Sequence, residues 1–465
     1  MTKVGLVQIN NSFSGQNYLP LSVGVLQAYV ESKRPGEYEW MTPIYQRVGV
    51  DEAVAHLEDA DVVLFSVYVW NFQLSLAIAR KLTCRVVFGG PHVSDNLCDK
   101  YSFIDEMCQG EGERWTLKML TGEYSDETTD YPSPYLSGTF NRLMAARPEE
   151  NWVALWETTR GCPFSCTFCD WGKEDMRVRK FGMERLKKEI DWFAAHRIEY
   201  VYCCDANFGM LERDLELVEY IAEVKRVTGF PHRVSVQNTK NSTERSYAVQ
   251  KLLSDNGLNQ GVTVSMQSLD SGVLKAVRRE NISLESFKTI QGRFNRDGVA
   301  TYTDLIIGLP GETYETFVDG AVSVIESGQR NRIQFNNLSI LPNTEMARAE
   351  YRAAYGIETV RGRIINGHGA LIADEVEEEQ ELVIATSAMP RRAWVKTRAM
   401  SWMIGLLYFD KLLQMPLNYL RAKGMSYRTL FELFMKKWEG LRVLGEIRKF
   451  FVEKAVEVQD GGEEL

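Results

Sequence analysis

The chain has 465 residues, 45% hydrophobic and 25% charged, with 54 Lys and Arg against 63 Asp and Glu and a formal net charge of −9. This size predicts two or three domains of ordinary globular composition, and the acidic balance argues against broad nucleic-acid binding, which needs a basic face. Eight cysteines without a secretory start predict a reducing, cytoplasmic setting, and no run approaches the roughly 18 to 20 apolar residues that span a bilayer.

From residue 3 to about 122, short apolar runs alternate with helical ones, which predicts a parallel sheet with crossover helices. Strands are expected at 3–8, 38–44, 61–69, 85–88 and 103–108, and helices at 19–31, 51–57, 73–82, 95–100 and 114–120. Five such strands predict an α/β unit of the flavodoxin-like, Rossmann-like doubly wound type over 1–122, with a ligand beyond the carboxyl ends of the strands. Those ends carry small or backbone-exposing residues: Asn10 and Asn11, Ser66, Gly89-Gly90-Pro91-His92 and Gly110-Glu111-Gly112-Glu113. Glycines there let a broad planar ligand approach the main chain. Tyr68, Trp70 and Asn71 either line such a ligand or fill sheet-to-helix packing, and His92 in its Gly-Pro loop reads as a surface or packing residue.

Residues 123–150 are polar and irregular, with Pro132 and Pro134 barring a helix, and read as a connection. Residues 152–157 then read as the first strand of a second α/β unit. At its carboxyl end, where barrel enzymes place their chemistry, stands Thr158-Thr159-Arg160-Gly161-Cys162-Pro163-Phe164-Ser165-Cys166-Thr167-Phe168-Cys169. Thiolates spaced C-x3-C-x2-C on a tight loop can converge, and soft sulfur selects zinc, copper or an iron–sulfur cluster. Structural zinc usually takes four ligands in paired elements, and no second pair is present at a suitable distance. Three sulfurs on a four-iron cluster would leave one iron open to a substrate or cosubstrate.

On this motif, with Phe168 before its third cysteine, the chain resembles the radical S-adenosylmethionine (SAM) superfamily. The resemblance implies that Cys162, Cys166 and Cys169 ligate a [4Fe-4S] cluster whose open iron chelates SAM, with Phe168 beside it. An electron from the cluster, delivered by a donor such as flavodoxin or ferredoxin, would split SAM into methionine and a 5′-deoxyadenosyl radical. Further along, helix 183–196 leads to a strand at 200–209, and Asp205, Ala206 and Asn207 occupy the place where the family holds the SAM ammonium. Cys203 and Cys204 read as small apolar core residues. In strand 233–239, Ser235 and Gln237 share one face, where the family contacts the SAM ribose.

Residues 261–269, with Val277-Arg278-Arg279 after them, resemble the branch containing oxygen-independent coproporphyrinogen oxidase. This likeness implies Gln267 on SAM and Arg279 on its carboxylate, offered as a planar fork. Arg278 is the alternative by one position, or both arginines lie on a solvated face. Residues 303–313 match the same branch and imply Asp304 on the ribose hydroxyls, with Gly308-Leu309-Pro310-Gly311-Glu312 capping the strand. With a sixth strand at 334–340, a partial (β/α)6 radical SAM barrel over 151–346, open on one side, is expected.

Within this resemblance the N-terminal unit looks like the cobalamin-binding domain that precedes the radical SAM core in one large branch. The likeness implies that Asn10, Ser66, Trp70, Gly89, Gly90, Pro91, Gly110, Glu111 and Gly112 line cobalamin. The D-x-H-x-x-G cobalt-ligating motif is absent, as it commonly is in that branch; Asn10-Asn11-Ser12-Phe13-Ser14-Gly15 stands in its place. The alternative is a degenerate Rossmann-like unit serving as a substrate lid or dimer surface.

From 347 to 465 helix-favouring sequence predicts a helical C-terminal domain, including the acidic run 374–381 and the apolar stretch 402–413. Tyr408, Phe409, Leu412, Leu413 and Met415 fit one buried helix face. Trp394 and Trp402 either close the barrel or pack the core, and the polar tail 459–465 is expected to fray. The whole resemblance implies C-methylation of an unactivated carbon in a small-molecule or peptide substrate, through the 5′-deoxyadenosyl radical and methylcobalamin. Rearrangement, cyclisation or oxidation without methyl transfer is the alternative among enzymes, and an iron–sulfur or corrinoid sensory module the alternative from another class.

Overall fold

The computed structural model describes all residues except 13, 124–130, 172–176, 239–243, 365–375, 437–441 and 465. Parts of the expected connection, of strand 233–239 and of the acidic run therefore lie outside the described residues.

The first sheet is built from β1 (Thr2–Asn10), β3 (Tyr38–Trp40), β4 (Ile44–Gln46), β5 (Val62–Ser66), β6 (Arg85–Gly89) and β7 (Glu106–Cys108), all parallel, in the order β3-β1-β5-β6-β7 with β4 also on β1. A short β2 (Asn17–Tyr18) leaves this region altogether. Val4, Leu6, Val7 and Ile9 of β1 are all buried, the unbroken apolar run of a parallel strand covered on both faces. The expected single strand at 38–44 splits in two around Pro43, which has no N–H to offer a ladder. Helices Leu21–Lys33, Val50–Leu57, Phe72–Ala79, Leu97–Lys100 and Gly112–Thr121 alternate with the strands.

A second parallel sheet runs β12-β11-β8-β2, from β8 (Trp152–Trp156), β11 (Tyr200–Cys203) and β12 (Arg233–Ser235). Its outermost strand is thus borrowed from residues 17–18, too short to carry any sequence periodicity. Between β8 and β11, β9 (Thr159–Arg160) pairs antiparallel with β10 (Arg179–Lys180). A third parallel sheet runs β13-β14-β15, from β13 (Val262–Thr263), β14 (Thr301–Ile307) and β15 (Arg332–Asn337). After β14, Gly308 and Gly311 turn the chain at positive φ, and Thr313 with Thr316 forms a capping box on helix Tyr314–Glu326.

The described C-terminal part departs from an all-helical expectation. β16 (Glu358–Arg363) and β17 (Glu379–Ala385) form an antiparallel hairpin, so the acidic run ends in a strand. Glu381 is neutralised there by both guanidinium nitrogens of Arg352, at 2.6 and 2.8 Å, while Leu382-Val383-Ile384 supply the buried strand residues. Helix Arg391–Ile404 passes into a π-helical turn, Gly405–Phe409. This widened turn keeps Tyr408 and Phe409 buried but rotates the next residues off the face: Leu412 and Met415 are 58% and 82% exposed, against expectation. The tail is held through residue 464, since the Gln459 amide donates to the Ile384 and Arg391 carbonyls and Arg398 pairs with Glu464.

One apolar core joins β13–β15 to the C-terminal helices through Phe287, Phe294, Phe317, Trp394 and Phe431. Trp394 is fully buried and Trp402 lies against Phe451, tilted with ring centroids 5.9 Å apart, so both pack rather than gate. A second core joins β8, β11 and β12 to Tyr135, Phe140 and helix Met183–Ala195. No described helix is long and apolar enough to cross a membrane.

Candidate functional site

A cavity of about 1820 Å³ opens between the carboxyl ends of the first sheet and those of the second. Its first wall contains all nine residues expected at a corrinoid: Asn10, Ser66, Trp70, Gly89, Gly90, Pro91, Gly110, Glu111 and Gly112. Gly90 has φ +103°, and a Cβ there would sit 2.7 Å from the Val67 carbonyl oxygen. Trp70 stacks on Tyr68 at 4.5 Å, and the Tyr68 hydroxyl shares a 2.7 Å hydrogen bond with Ser22. Asn71 instead packs: its amide donates to the Ile9 and Ser66 carbonyls and its oxygen accepts the Tyr68 N–H. His92 also packs, on Phe72, and burial pushes its pKa down to about 4.

The opposite wall brings in Glu157, Thr159, Arg160, Gly161, Asp170, Trp171, Tyr202 and Cys204. Cys204, expected in the core, faces this cavity, and its burial raises the thiol pKa. Cys203 is the core residue of the pair, since successive strand positions face opposite ways.

The cysteine loop is rooted by Asp205. Its carboxylate accepts the backbone N–H of Thr158 at 2.8 Å, that of Thr159 at 3.0 Å, and the Thr158 hydroxyl. Asp205 thereby ties the segment after β11 to the root of the loop. Cys162 and Cys166 are buried and Cys169 half-buried, and none of the three is in a disulfide. The Asn207 side-chain N–H donates to the Cys162 sulfur at 3.2 Å. From the other side, Arg279 hydrogen-bonds the Cys166 sulfur, while its Nη2 donates to the Ser265 carbonyl at 2.7 Å and its Nε to Asn281 at 2.8 Å. Arg278 is the solvated arginine, half exposed and paired with Glu345.

Asp304 accepts the Ser265 hydroxyl at 2.5 Å, and burial raises its carboxyl pKa. Gln267 has φ +64° and its buried Oε1 has no partner among the described residues. Gln237 donates to the Tyr202 hydroxyl at 3.0 Å, and Ser235 lies beside Tyr202 across the sheet. Phe168 packs against the apolar cluster of Val273, Leu309 and Leu338. Of the residues expected at SAM, Ala206 alone lines the large cavity; Asp205, Asn207 and Arg279 gather around the cysteine loop.

Sequence reasoning missed the ion network at the junction of the two walls. Arg160, next to the cysteine loop, meets Glu113 at 2.7 Å, Glu157 at 3.0 Å and Glu111 at 3.5 Å, and Arg179 also pairs with Glu111. Burial, reinforced by Glu113, outweighs Arg160 and pushes Glu157 up to about 7. Its acids were visible in Gly110-Glu111-Gly112-Glu113, but their partner sits some fifty residues away.

Among the described residues no three His, Cys, Asp or Glu side chains close on a single ion. The loop is therefore no ready-made one-metal site. Sulfur-only donors, with amide and guanidinium N–H groups on two of them, suit an iron–sulfur group.

A family profile described as the Radical SAM superfamily matches residues 156–321. The chain is 36% identical over 457 residues to the cobalamin-dependent radical SAM methyltransferase TokK of Streptomyces tokunonensis, covering 89% of this chain and 67% of that protein. It is also 36% identical over 475 residues to the 2-(S-pantetheinyl)-carbapenam-3-carboxylate methyltransferase of Streptantibioticus cattleyicolor, covering 92% and 70%. The radical SAM methyltransferase TsrM of Kitasatospora setae, solved with cobalamin and a [4Fe-4S] cluster bound, shares the fold: TM-score 0.63 over 99% of this chain and 100% of that one, at 15% identity.

Proposed function

Because the chain belongs to the cobalamin-dependent radical SAM methyltransferases, we propose that it methylates an unactivated carbon of a small-molecule or peptide substrate. Its cofactors are a [4Fe-4S] cluster, SAM and cobalamin. When bound, the cluster and SAM supply the electron and the radical, and methylcobalamin supplies the methyl group.

The observation that carries the proposal is the cavity joining the sheet ends around Gly89 and Gly110 to the two flanks of the cysteine loop, at Gly161 and Asp170. In this reading residues 1–122 form the flavodoxin-like cobalamin-binding domain, 123–150 the connection, 151–346 the partial (β/α)6 barrel and 347–465 the C-terminal region. The Gly89-Gly90-Pro91 and Gly110-Glu111-Gly112 rims would hold the corrinoid, together with Asn10, Ser66 and Trp70. Cys162, Cys166 and Cys169 hold the cluster. Ala206, Ser235, Gln237, Gln267, Arg279 and Asp304 remain the SAM set, and the unpartnered Gln267 oxygen supports it by leaving an acceptor to be satisfied. Asp205 serves by fixing the loop. Contacts across the cavity, Arg160 with Glu113 and Asn343 with the Pro91 and Val93 carbonyls, hold its walls together.

The test uses SAM carrying a deuterated methyl group, incubated anaerobically with reconstituted enzyme, a reductant and carbon-centred candidate substrates. Transfer of the labelled methyl to carbon, abolished in Cys166→Ala, is the expected result. Formation of 5′-deoxyadenosine together with a rearranged or oxidised, unlabelled product would overturn the methyl-transfer assignment.

A further inference from the structure

The environment of Cys162 goes beyond ligation itself. This sulfur is almost fully buried, so as a thiolate it would have no water to solvate its charge. A buried anion without donors is costly. The donor present is Asn207, whose side-chain N–H lies 3.2 Å from the Cys162 sulfur.

The amide is aimed rather than loosely placed. Asn207 is buried and sits between two backbone hydrogen bonds, Cys204 N–H to the Trp156 carbonyl at 2.7 Å and Phe208 N–H to the Gln237 carbonyl at 2.8 Å. Two residues before it, Asp205 grips the root of the very loop that carries Cys162. The stretch after β11 therefore controls both where the loop starts and what its first sulfur sees. The Arg279 guanidinium likewise hydrogen-bonds the Cys166 sulfur.

We propose that Asn207 is a positioning residue for the iron–sulfur group: its N–H on Cys162, acting with Arg279 on Cys166, draws electron density from two of the three ligand sulfurs and raises the reduction potential of the cluster. Reduction adds negative charge that is shared with the ligand sulfurs, and donors to those sulfurs favour the reduced state. The role differs from the contact with the SAM ammonium that the position suggests by sequence. The inference rests on the three cysteines being cluster ligands.

The experiment is an anaerobic redox titration of the reconstituted holoenzyme, monitored by electron paramagnetic resonance, for wild type, Asn207→Ala and Asn207→Asp. Iron content and SAM affinity are measured alongside. Both variants should keep wild-type iron and SAM affinity while their midpoint potential moves to more negative values, further for Asp, which places a carboxylate where the donor was. An unchanged potential in both variants overturns the proposal, and if SAM affinity has fallen instead, Asn207 contacts the cosubstrate. Loss of iron from both variants overturns it too, because a tuning donor is not needed for assembly. Absence of iron from the wild type would defeat the cluster assignment itself, a separate failure read in a separate measurement.

Discussion

Glu157 shows how a single side chain at the rim of the cavity reports its surroundings. Arg160 lies 3.0 Å away but divides its charge among three acids, and burial leaves the Glu157 carboxyl titrating at about 7, above its usual 4.5. The folded protein then keeps a proton that the unfolded chain has released. Stability from this group is complete below 4.5 and is lost as pH rises through 7. Glu157→Gln stays neutral throughout, so the wild-type melting temperature should fall relative to the variant from about pH 5 to about pH 8. Parallel profiles in thermal melts would contradict this. At this scale the sequence was most legible where chemistry fixes the residue type: three cysteines at fixed spacing, and a glycine such as Gly90 where positive φ and the Val67 backbone leave no room for a Cβ. Arg160 was missed, and neither the loop contacts of Asp205 nor the packing of Phe168 was foreseen, because a carboxylate, a ring and a guanidinium each have many uses. Which use applies depends on partners that only the fold brings together.

Among the elements, the hairpin β16–β17 explains why composition misled. An acidic run of this kind favours a solvated helix on its own, yet Glu378 is buried, accepting the Gln73 and Leu74 N–H groups at the start of helix Phe72–Ala79 at 2.7 and 3.0 Å. Arg47 pairs with it at 3.3 Å and also donates to the Trp70 and Val376 carbonyls. This buried pair ties the C-terminal hairpin to the first sheet, directly behind the Trp70 segment. Arg47→Met would strand the Glu378 charge and should cost about 3–5 kcal/mol, whereas adding Glu378→Gln should recover part of that loss. Thermal or urea unfolding of the single and double variants checks it, and equal loss in both would show that the pair is not coupled. Elsewhere the strands and helices of the first 122 residues fell within a few residues of expectation, because buried parallel strands leave long apolar runs. The two-residue β2 and the π-helical turn at Gly405–Phe409 leave no periodic trace, so neither could be anticipated.

Across the whole molecule, what matters is that the carboxyl ends of two parallel sheets face one another over one cavity. Each sheet alone presents an ordinary ligand-binding edge; opposed, they let a corrinoid and a cluster-bearing loop address the same substrate. The existence of two α/β units was readable from alternating patterns. Their opposition was not legible in those patterns themselves, since it depends on long-range contacts such as Arg160 with Glu113 and Arg47 with Glu378. The most direct measurement is iron and cobalt analysis, with the ultraviolet–visible spectrum, of protein purified anaerobically in the presence of cobalamin. The account predicts stoichiometric cobalt together with about four irons per chain, and iron but not cobalt lost in Cys166→Ala. Full iron loading with cobalt far below stoichiometry would contradict it.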